Sequence, residues 1–146
     1  MADNHDKATR SYNMSRIRAK NTRPELLVRK AIFAKGFRYR LHGKDLPGKP
    51  DLVLSKYKTV IFIHGCFWHG HHGCRKAVMP KSNTDYWQPK ILRNQLRDEE
   101  HIEKLKKAGW RIIVLWECAL RKKNIDAAIA EVVAQLLENL PHKNNL

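Results

Sequence analysis

The amino-acid sequence predicts a single α/β domain in which a small mixed sheet is flanked by helices. The chain has 146 residues, a length typical of one domain, and 42% of them are hydrophobic, which is enough to build a core. Segments with strand-like and helix-like hydrophobic periodicity alternate along the chain. Because this alternation is typical of α/β proteins, we expect helices to pack on a small sheet.

We expect the folded domain to span residues 23–140, between a basic N-terminal arm (1–22) and a flexible tail (141–146). The arm is polar and basic, with few sizeable aliphatic side chains, chiefly Met14 and Ile17. A segment of this composition buries too little apolar surface to fold alone, so we interpret it as an arm that orders on a partner.

The first helix is predicted to begin at Thr22–Glu25, which fits a capping box with a proline early in the helix. Leu27, Ala31 and Ala34 follow at helical spacing and predict its apolar face. Gly36 is suited to the position that ends a helix.

Four segments have the character of strands. Residues 37–41 alternate apolar and basic side chains, which predicts a short half-buried strand. After a turn-rich segment, Asp51–Leu54 and Thr59–His64 are predicted as a hairpin, with its turn at 56–58. The second of these is a continuous apolar run, as expected of a strand buried on both faces. Arg111–Trp116 is the last core strand.

A long irregular segment, residues 65–90, separates these strands and is rich in Gly, His, Trp and Pro. A loop of this length in a compact domain is usually functional or organised by a metal. An amphipathic helix is predicted from Ile91 to Ala108, ended by Gly109, and a final helix from Ile125 to Leu137. The inward side chains expected of the first of these helices are Leu92, Leu96, Ile102 and Leu105.

The charge balance favours a polyanionic partner. Lys and Arg number 29 against 14 acidic residues, which gives a net charge of +15 and a sequence pI of about 10.1. Nucleic acid is the first candidate, because neutralised phosphates release condensed counterions, and an anionic membrane surface is the weaker one. Without an apolar run of about 18 residues or an apolar N-terminal stretch, we expect no membrane span, no signal peptide and a cytoplasmic location.

The three cysteines are an odd number in a chain without an export signal, so we expect thiols or metal ligands in a reducing compartment. Cys66, His71 and Cys74 lie in the irregular segment, and Cys118 follows the last strand. Thiolate and imidazole are zinc ligands, and a closed set of three Cys and one His is typical of a structural site. The sequence therefore predicts a zinc ion that ties the loop to the sheet. Two alternatives remain: the cysteines are buried core thiols, or His72 replaces His71 as a ligand.

A second candidate site centres on Asp51. Phosphodiester hydrolysis needs a hard cation and a base near the attacking water. Asp51 follows Pro50 at the start of a strand, and the hairpin would bring it near residues 62–64. This Pro-Asp pair resembles half of the metal-binding motif of restriction endonucleases, but Phe-Ile-His stands where the Glu-x-Lys half would be. A structural Asp in a turn is the alternative, whereas His64 and His69 favour catalysis, since histidine can act as a base near neutral pH.

Several short motifs follow one another in order from about residue 5 to residue 121. They are Ala8-Thr9-Arg10-Ser11, Asn13-Met14, Leu46-Pro47-Gly48-Lys49-Pro50-Asp51, His64-Gly65-Cys66-Phe67-Trp68-His69, Asn94 with Arg97-Asp98, Gly109-Trp110, and Trp116-Glu117-Cys118. The Gly-Cys-Phe-Trp-His run is the most specific. Together these motifs resemble the very-short-patch-repair (Vsr) DNA mismatch endonucleases.

This resemblance implies a restriction-endonuclease-like core and an enzyme that nicks one DNA strand 5′ of the T in a T·G mismatch, the product of 5-methylcytosine deamination. It implies that Asp51 ligates Mg²⁺ and that residue 63 contributes its backbone carbonyl, although Ile63 stands where familiar members often have Thr. His69 would be the general base, His64 would assist through water or the phosphate, and Glu25 would be a helper near the site. The carboxylate of Glu25 also has a purely structural alternative, as part of the capping box.

The resemblance also implies zinc ligation by Cys66, His71, Cys74 and Cys118, and it implies side chains that wedge into the duplex beside the mismatch. Apolar wedges unstack a base step at a cost of about a few kcal/mol, less where the pair is already weak. The alternatives are that the aromatic residues belong to the core and that the basic arm is simply solvated. The predicted DNA-contacting residues are Met14, Phe67, Trp68, Trp87, Arg10, Arg16 and Asn94.

The expected partner is double-stranded DNA with a T·G mismatch, with a functional link to a cytosine-5 DNA methyltransferase. An asymmetric mismatch suits a monomer. Two other hypotheses are a zinc-stabilised DNA-binding module without activity and a basic structural component of a nucleoprotein particle. Only the enzyme hypothesis requires Asp51, and only the last predicts no preference for a mismatched duplex.

Overall fold

Four strands form one mixed sheet in a computed structural model that describes residues 22–77 and 82–138. In chain order, the helices and strands are α1 (Arg23–Ala34), β1 (Arg40–Leu41), β2 (Leu52–Leu54), β3 (Thr59–His64), α2 (Thr84–Lys107), β4 (Arg111–Trp116) and α3 (Ile125–Glu138). Short 3₁₀ helices lie at Ser55–Tyr57, Arg75–Ala77 and Glu117–Leu120. The α/β class predicted from periodicity is confirmed. The predicted tail, and all of the predicted arm except Thr22, lie outside the described residues.

The strand order is β1-β2-β3-β4, in which β2 is antiparallel to both β1 and β3, and β3 is parallel to β4. Lys58 adopts a left-handed conformation at the tight turn between β2 and β3, so the predicted hairpin is confirmed. Helix α2 makes the crossover between the two parallel strands. The C-terminal ends of β3 and β4 therefore lie side by side, with His64 opposite Trp116.

Both faces of the sheet are covered. The larger core contains the buried residues of α1 and α3 together with one face of the strands, including Ile61 and Ile113. The opposite face packs Val60 and Phe62 against Leu105 of α2. Strand β3 is thus buried on both faces, as its uninterrupted apolar sequence predicts.

The predicted apolar face of α1 is right for Ala31, which packs against the larger core, and wrong for Leu27 and Ala34, which are exposed. The buried residues are Glu25, Val28 and Ile32, whereas Leu27 is 37% exposed. Three successive apolar residues at 26–28 leave the helical phase ambiguous, and the sheet contact selects the phase that buries Glu25. The predicted capping box is also wrong, since Thr22 makes no side-chain capping bond.

Helix α2 begins at Thr84, seven residues before the predicted start, and contains Pro89. Proline lacks the N–H of a regular helix position, which is why the sequence predicts a boundary there. The missing bond falls within the first two turns, and burial of Ile91 and Leu105 offsets it. The predicted inward residues Leu92 and Leu96 are 54% and 56% exposed, so that part of the prediction is wrong.

Strand β1 is shorter than predicted, because only two of residues 37–41 pair with β2. Phe37 is instead buried in the larger core, with its ring centroid 5.3 Å from that of Tyr57. Within residues 22–77 and 82–138, we find no helix that combines the length and apolar character needed to cross a membrane.

Candidate active site and metal cluster

A cleft of about 630 Å³ opens where β3 ends, beside the start of β2 and the middle of α2. We call it the carboxylate cleft, because four of its lining residues are the acids Glu25, Asp51, Asp98 and Glu117. His64 and His69 also line it. The fold therefore brings all four predicted catalytic residues to one opening, although they come from α1, the edge of β2, β3 and the loop after β3.

Asp51 is fixed to the end of β3 by a short hydrogen bond. The backbone N–H of Ile63 donates to Asp51 Oδ2 at 2.6 Å. Burial raises the pKa of Asp51 to about 6, the neighbouring Glu25 carboxylate adds to the rise, and the Ile63 amide and His42 oppose it. Two close carboxylates in a sheltered cleft repel each other, and a divalent cation would relieve this repulsion. The oxygen donors fit Mg²⁺, which prefers carboxylates.

Glu25 is 3% exposed and lies in the first turn of α1. Its Oε2 is 3.0 Å from Arg29 Nη2 and 3.3 Å from His42 Nε2. These contacts turn the carboxylate into the fold instead of back toward the helix N-terminus. The position of the Glu25 carboxylate is therefore explained by its ion pair with Arg29 and not by a capping box.

His69 is oriented by a carboxylate that the sequence patterns do not single out. His69 Nδ1 lies 2.6 Å from Asp98 Oδ2. A proton on Nδ1 that is donated to Asp98 leaves Nε2 as an acceptor, which is the form that a general base requires. In the sequence, Asp98 stands out only as part of a motif. Its position one helical turn beyond Asn94, whose amide also reaches the loop, is the signal that could have found it.

His64 stacks directly on this histidine. The ring centroids of His64 and His69 are 3.8 Å apart with an interplanar angle of 1°. Burial and, to a lesser extent, the adjacent His69 lower the pKa of His64 to about 4, and Asp98 opposes this shift. His64 is therefore neutral at physiological pH, and its flat face fixes the plane of the His69 ring.

A second group of side chains, which we call the thiolate cluster, consists of Cys66, His71, Cys74 and Cys118. One donor atom from each lies within 4.8 Å of every other, and Cys118 Sγ is 3.5 Å from His71 Nδ1. The cluster includes His71 and not His72, which is exposed. Burial raises the pKa of the Cys66 thiol to about 12. Such a thiol becomes a thiolate only beside a cation, and three sulfurs with one imidazole fit zinc.

The loop that carries these ligands is bound to α2 through its backbone. Asn94 Nδ2 donates to the carbonyl of Trp68 at 2.9 Å, and Gln95 Nε2 donates to that of Gly70 at 3.0 Å. Gly70 has φ +62°, and a Cβ there would collide with the Gln95 side chain, so glycine is required. Asn94, predicted to contact DNA, thus has a contact within the protein.

The predicted wedge residues Phe67 and Trp68 form an aromatic cluster beside the cleft with Trp87, a further predicted DNA contact that lies in α2. Phe67, Trp68 and Trp87 have ring centroids 5.3 to 5.6 Å apart, and each is half-buried. Lys90 Nζ lies 5.3 Å from the Trp68 ring centroid. None of the three belongs to either core, which argues against the core alternative. The other predicted DNA contacts, Met14, Arg10 and Arg16, lie outside the described residues.

Comparison with known proteins bears directly on this site. The family model described as DNA mismatch endonuclease Vsr matches residues 2–85. A type II nicking enzyme of Neisseria meningitidis is 54% identical over 86% of this chain and 89% of its own. A type II nicking enzyme of Xanthomonas oryzae is 50% identical over 82% and 88%, and the DNA mismatch endonuclease Vsr of Escherichia coli is 44% identical over 90% and 85%. This chain therefore belongs to the Vsr family of DNA mismatch endonucleases.

Proposed function

We propose that this protein is a Mg²⁺-dependent endonuclease that nicks DNA 5′ of the T in a T·G mismatch and so initiates very short patch repair. Membership of a family of DNA endonucleases supports the reaction class. The single observation that carries the proposal further is the convergence of Asp51, Glu25 and the His69–Asp98 pair in one cleft.

His69 is the proposed general base. Its Nδ1 faces Asp98, so its Nε2 is left to accept a proton from the attacking water. The Asp98 carboxylate then stabilises the imidazolium that forms. Neutral His64 holds the ring in plane and offers a hydrogen bond to water or to the phosphate.

Asp51 is the proposed carboxylate ligand of Mg²⁺, with the backbone carbonyl of Ile63 as a second ligand and Glu25 beside them. When bound, the cation supplies Lewis-acid stabilisation of the charge that develops on the phosphoryl oxygens. Because the proposed role of position 63 uses the main chain, isoleucine can serve there. Ile63 also positions Asp51, through the bond from its amide.

Recognition of the mismatch is assigned to the aromatic cluster. Phe67, Trp68 and Trp87 offer partly exposed rings next to the cleft, as a wedge between base pairs requires. A T·G pair is weaker than a matched pair, so unstacking costs less there. In the arm, Met14 would also wedge into the duplex, while Arg10 and Arg16 would contact phosphates.

The proposal also covers the structural metal, the type of core, the oligomeric state and the origin of the substrate. The thiolate cluster holds a structural Zn²⁺, and the core is of the restriction-endonuclease-like type. The protein acts as a monomer, since the mismatch is asymmetric. Its substrate arises at the sites of a cytosine-5 DNA methyltransferase, which fixes the sequence context.

A labelled duplex with a single T·G pair tests the proposal. We expect a nick 5′ of the T with Mg²⁺, none with EDTA, and none in the matched T·A duplex. Brief EDTA treatment must leave zinc in place, which metal analysis of the recovered protein checks. Binding to the mismatched duplex without any nick would favour a DNA-binding module instead, and equal binding to both duplexes would favour a structural nucleoprotein component.

A further inference from the structure

His42 connects two of the cleft carboxylates, Asp51 and Glu25, and the proposed mechanism gives it no role. Its backbone N–H donates to the carbonyl oxygen of Asp51 at 3.0 Å. Its ring Nε2 lies 3.3 Å from Glu25 Oε2. A single residue therefore contacts one acid through the main chain and the other through the side chain.

Arg29 completes this arrangement. Its Nη2 lies 3.0 Å from Glu25 Oε2 and 3.1 Å from His42 Nε2. If Nε2 of the histidine carries the proton, the ring donates directly to Glu25. If Nδ1 carries it, Nε2 accepts from Arg29, which itself donates to Glu25. The ring therefore holds the Glu25 carboxylate directly in the first tautomer and through Arg29 in the second.

The backbone at His42 argues that the side chain matters. Its φ is +46°, a left-handed conformation that is costly for most side chains and free for glycine. The next residue, Gly43, does not adopt this conformation. A histidine held at a strained position, with its ring against a buried acid, is typical of a functional constraint.

We propose that His42, supported by Arg29, is a positioning residue that holds Glu25 beside Asp51 so that the two carboxylates bind one divalent cation site. This inference rests on the proposed function. Neither His42 nor Arg29 is proposed to contact the DNA or the metal directly. Groups placed behind a metal ligand in this way usually change metal affinity about 10- to 100-fold when they are removed.

Mn²⁺, titrated into the zinc-loaded full-length protein and followed by the electron paramagnetic resonance of the free ion, measures this affinity without any cleavage. His42→Gly removes the ring and the backbone strain together, and we expect about a tenfold weaker Mn²⁺ affinity. Its thermal unfolding midpoint should remain at or near that of the parent. His42→Gln retains a terminal hydrogen-bonding amide and should restore most of the affinity.

A kinetic measurement separates this role from a general structural one. In single-turnover cleavage, His42→Gly should need about tenfold more Mg²⁺ for half-maximal rate, yet approach the parent rate at saturation. Should the glycine variant fail to fold, His42→Asn serves instead. Asparagine tolerates the left-handed backbone, and its side chain is too short to reach Glu25.

Asp51→Asn distinguishes the possible failures. If it loses Mn²⁺ affinity while His42→Gly or His42→Asn binds as tightly as the parent, the positioning role is overturned and the proposed function stands. If Asp51→Asn itself binds Mn²⁺ like the parent, the metal site is misplaced and the inference falls with it.

Discussion

The thiolate cluster and the carboxylate cleft lie at the same edge of the sheet but are held in different ways. Cys66, His71 and Cys74 lie in the loop after β3, and Cys118 lies in the 3₁₀ helix that follows β4. In the cleft, Asp51 is bound by a β3 amide, Glu25 by Arg29 and His69 by a residue of α2. The protein's own hydrogen bonds therefore build the cleft, whereas the cluster ligands would be held together chiefly by the proposed zinc. Loss of zinc should damage the structure, and loss of Mg²⁺ should affect only the chemistry.

The largest effect should come from breaking the thiolate cluster. His71→Ala removes one ligand, and we expect it to lose zinc and several kcal/mol of unfolding free energy, because structural zinc contributes about 10–16 kcal/mol of apparent binding free energy. His72→Ala is the matched control, since that neighbour is exposed and outside the cluster. Metal analysis and urea unfolding measure both variants. Equal zinc content and stability in the two would contradict the assignment.

Asp98→Asn should affect the cleft without affecting the fold. An amide at this position can donate to Nδ1 and so favours the wrong tautomer of His69, and we expect a single-turnover rate about 100-fold lower. Zinc content and duplex affinity should not change. Glu99→Gln, at the exposed neighbouring position of the same helix, should leave the rate unchanged. A nearly normal rate in Asp98→Asn would remove the orienting role of this carboxylate.

The raised pKa of Asp51 predicts that the stability of the parent and that of the Asp51→Asn variant depend differently on pH. Its pKa is about 6 in the folded protein, against an ordinary value of 3.8, so the folded protein binds this proton more tightly than the unfolded chain does. The resulting stabilisation is complete below about pH 4 and is lost as pH rises through 6. Between pH 4 and 7 the parent should therefore lose about 2 kcal/mol of unfolding free energy that the Asp51→Asn variant does not lose.

Urea unfolding at four pH values without added Mg²⁺ measures this difference. His64 acts in the opposite sense, because its pKa is lowered to about 4 and its contribution to stability is lost as pH falls from 6.5 toward 4. That effect is common to both proteins and cancels in the comparison. A difference that stays constant with pH would show that Asp51 is not the buried, repelled carboxylate described above.

The smallest effect should appear in mismatch selection. Phe67→Ala removes one ring of the aromatic cluster, and we expect about a tenfold loss in the preference for a T·G over a T·A duplex, close to the contribution of one stacked ring. Phe33→Ala makes the same substitution at a side chain that is 54% exposed on α1. Competition binding with the two duplexes should separate these variants. An unchanged preference in Phe67→Ala would assign the ring to loop packing.

How far the sequence predicts this structure depends on the range of the interactions. Strands β3 and β4 are predicted at their observed bounds, because a long apolar run is a local signal. The predicted phase of α1 and start of α2 are wrong, because tertiary contacts choose between locally similar options. For α1, the deciding contact is the burial of Glu25, which no hydrophobic pattern predicts.

In the candidate site, too, local signals could be predicted and contacts between distant residues could not. The thiolate cluster could be predicted because cysteine and histidine indicate their chemistry by residue type. Residue type does not single out Asp98 or His42 in this way, since acidic and basic residues are common in this chain and their partners are distant in sequence. His69 and Asp98 are 29 positions apart, and Glu25 and His42 are 17 apart. Only the fold brings each pair together.

The most direct test of the central claim is single-turnover cleavage of a T·G duplex by Asp51→Asn at saturating Mg²⁺. We expect the nicking rate to fall by at least about 100-fold, while zinc content and affinity for the duplex stay at parental values. A variant that nicks the duplex as fast as the parent would contradict the account, because the cleft would then cut DNA without the carboxylate that is proposed to bind its metal.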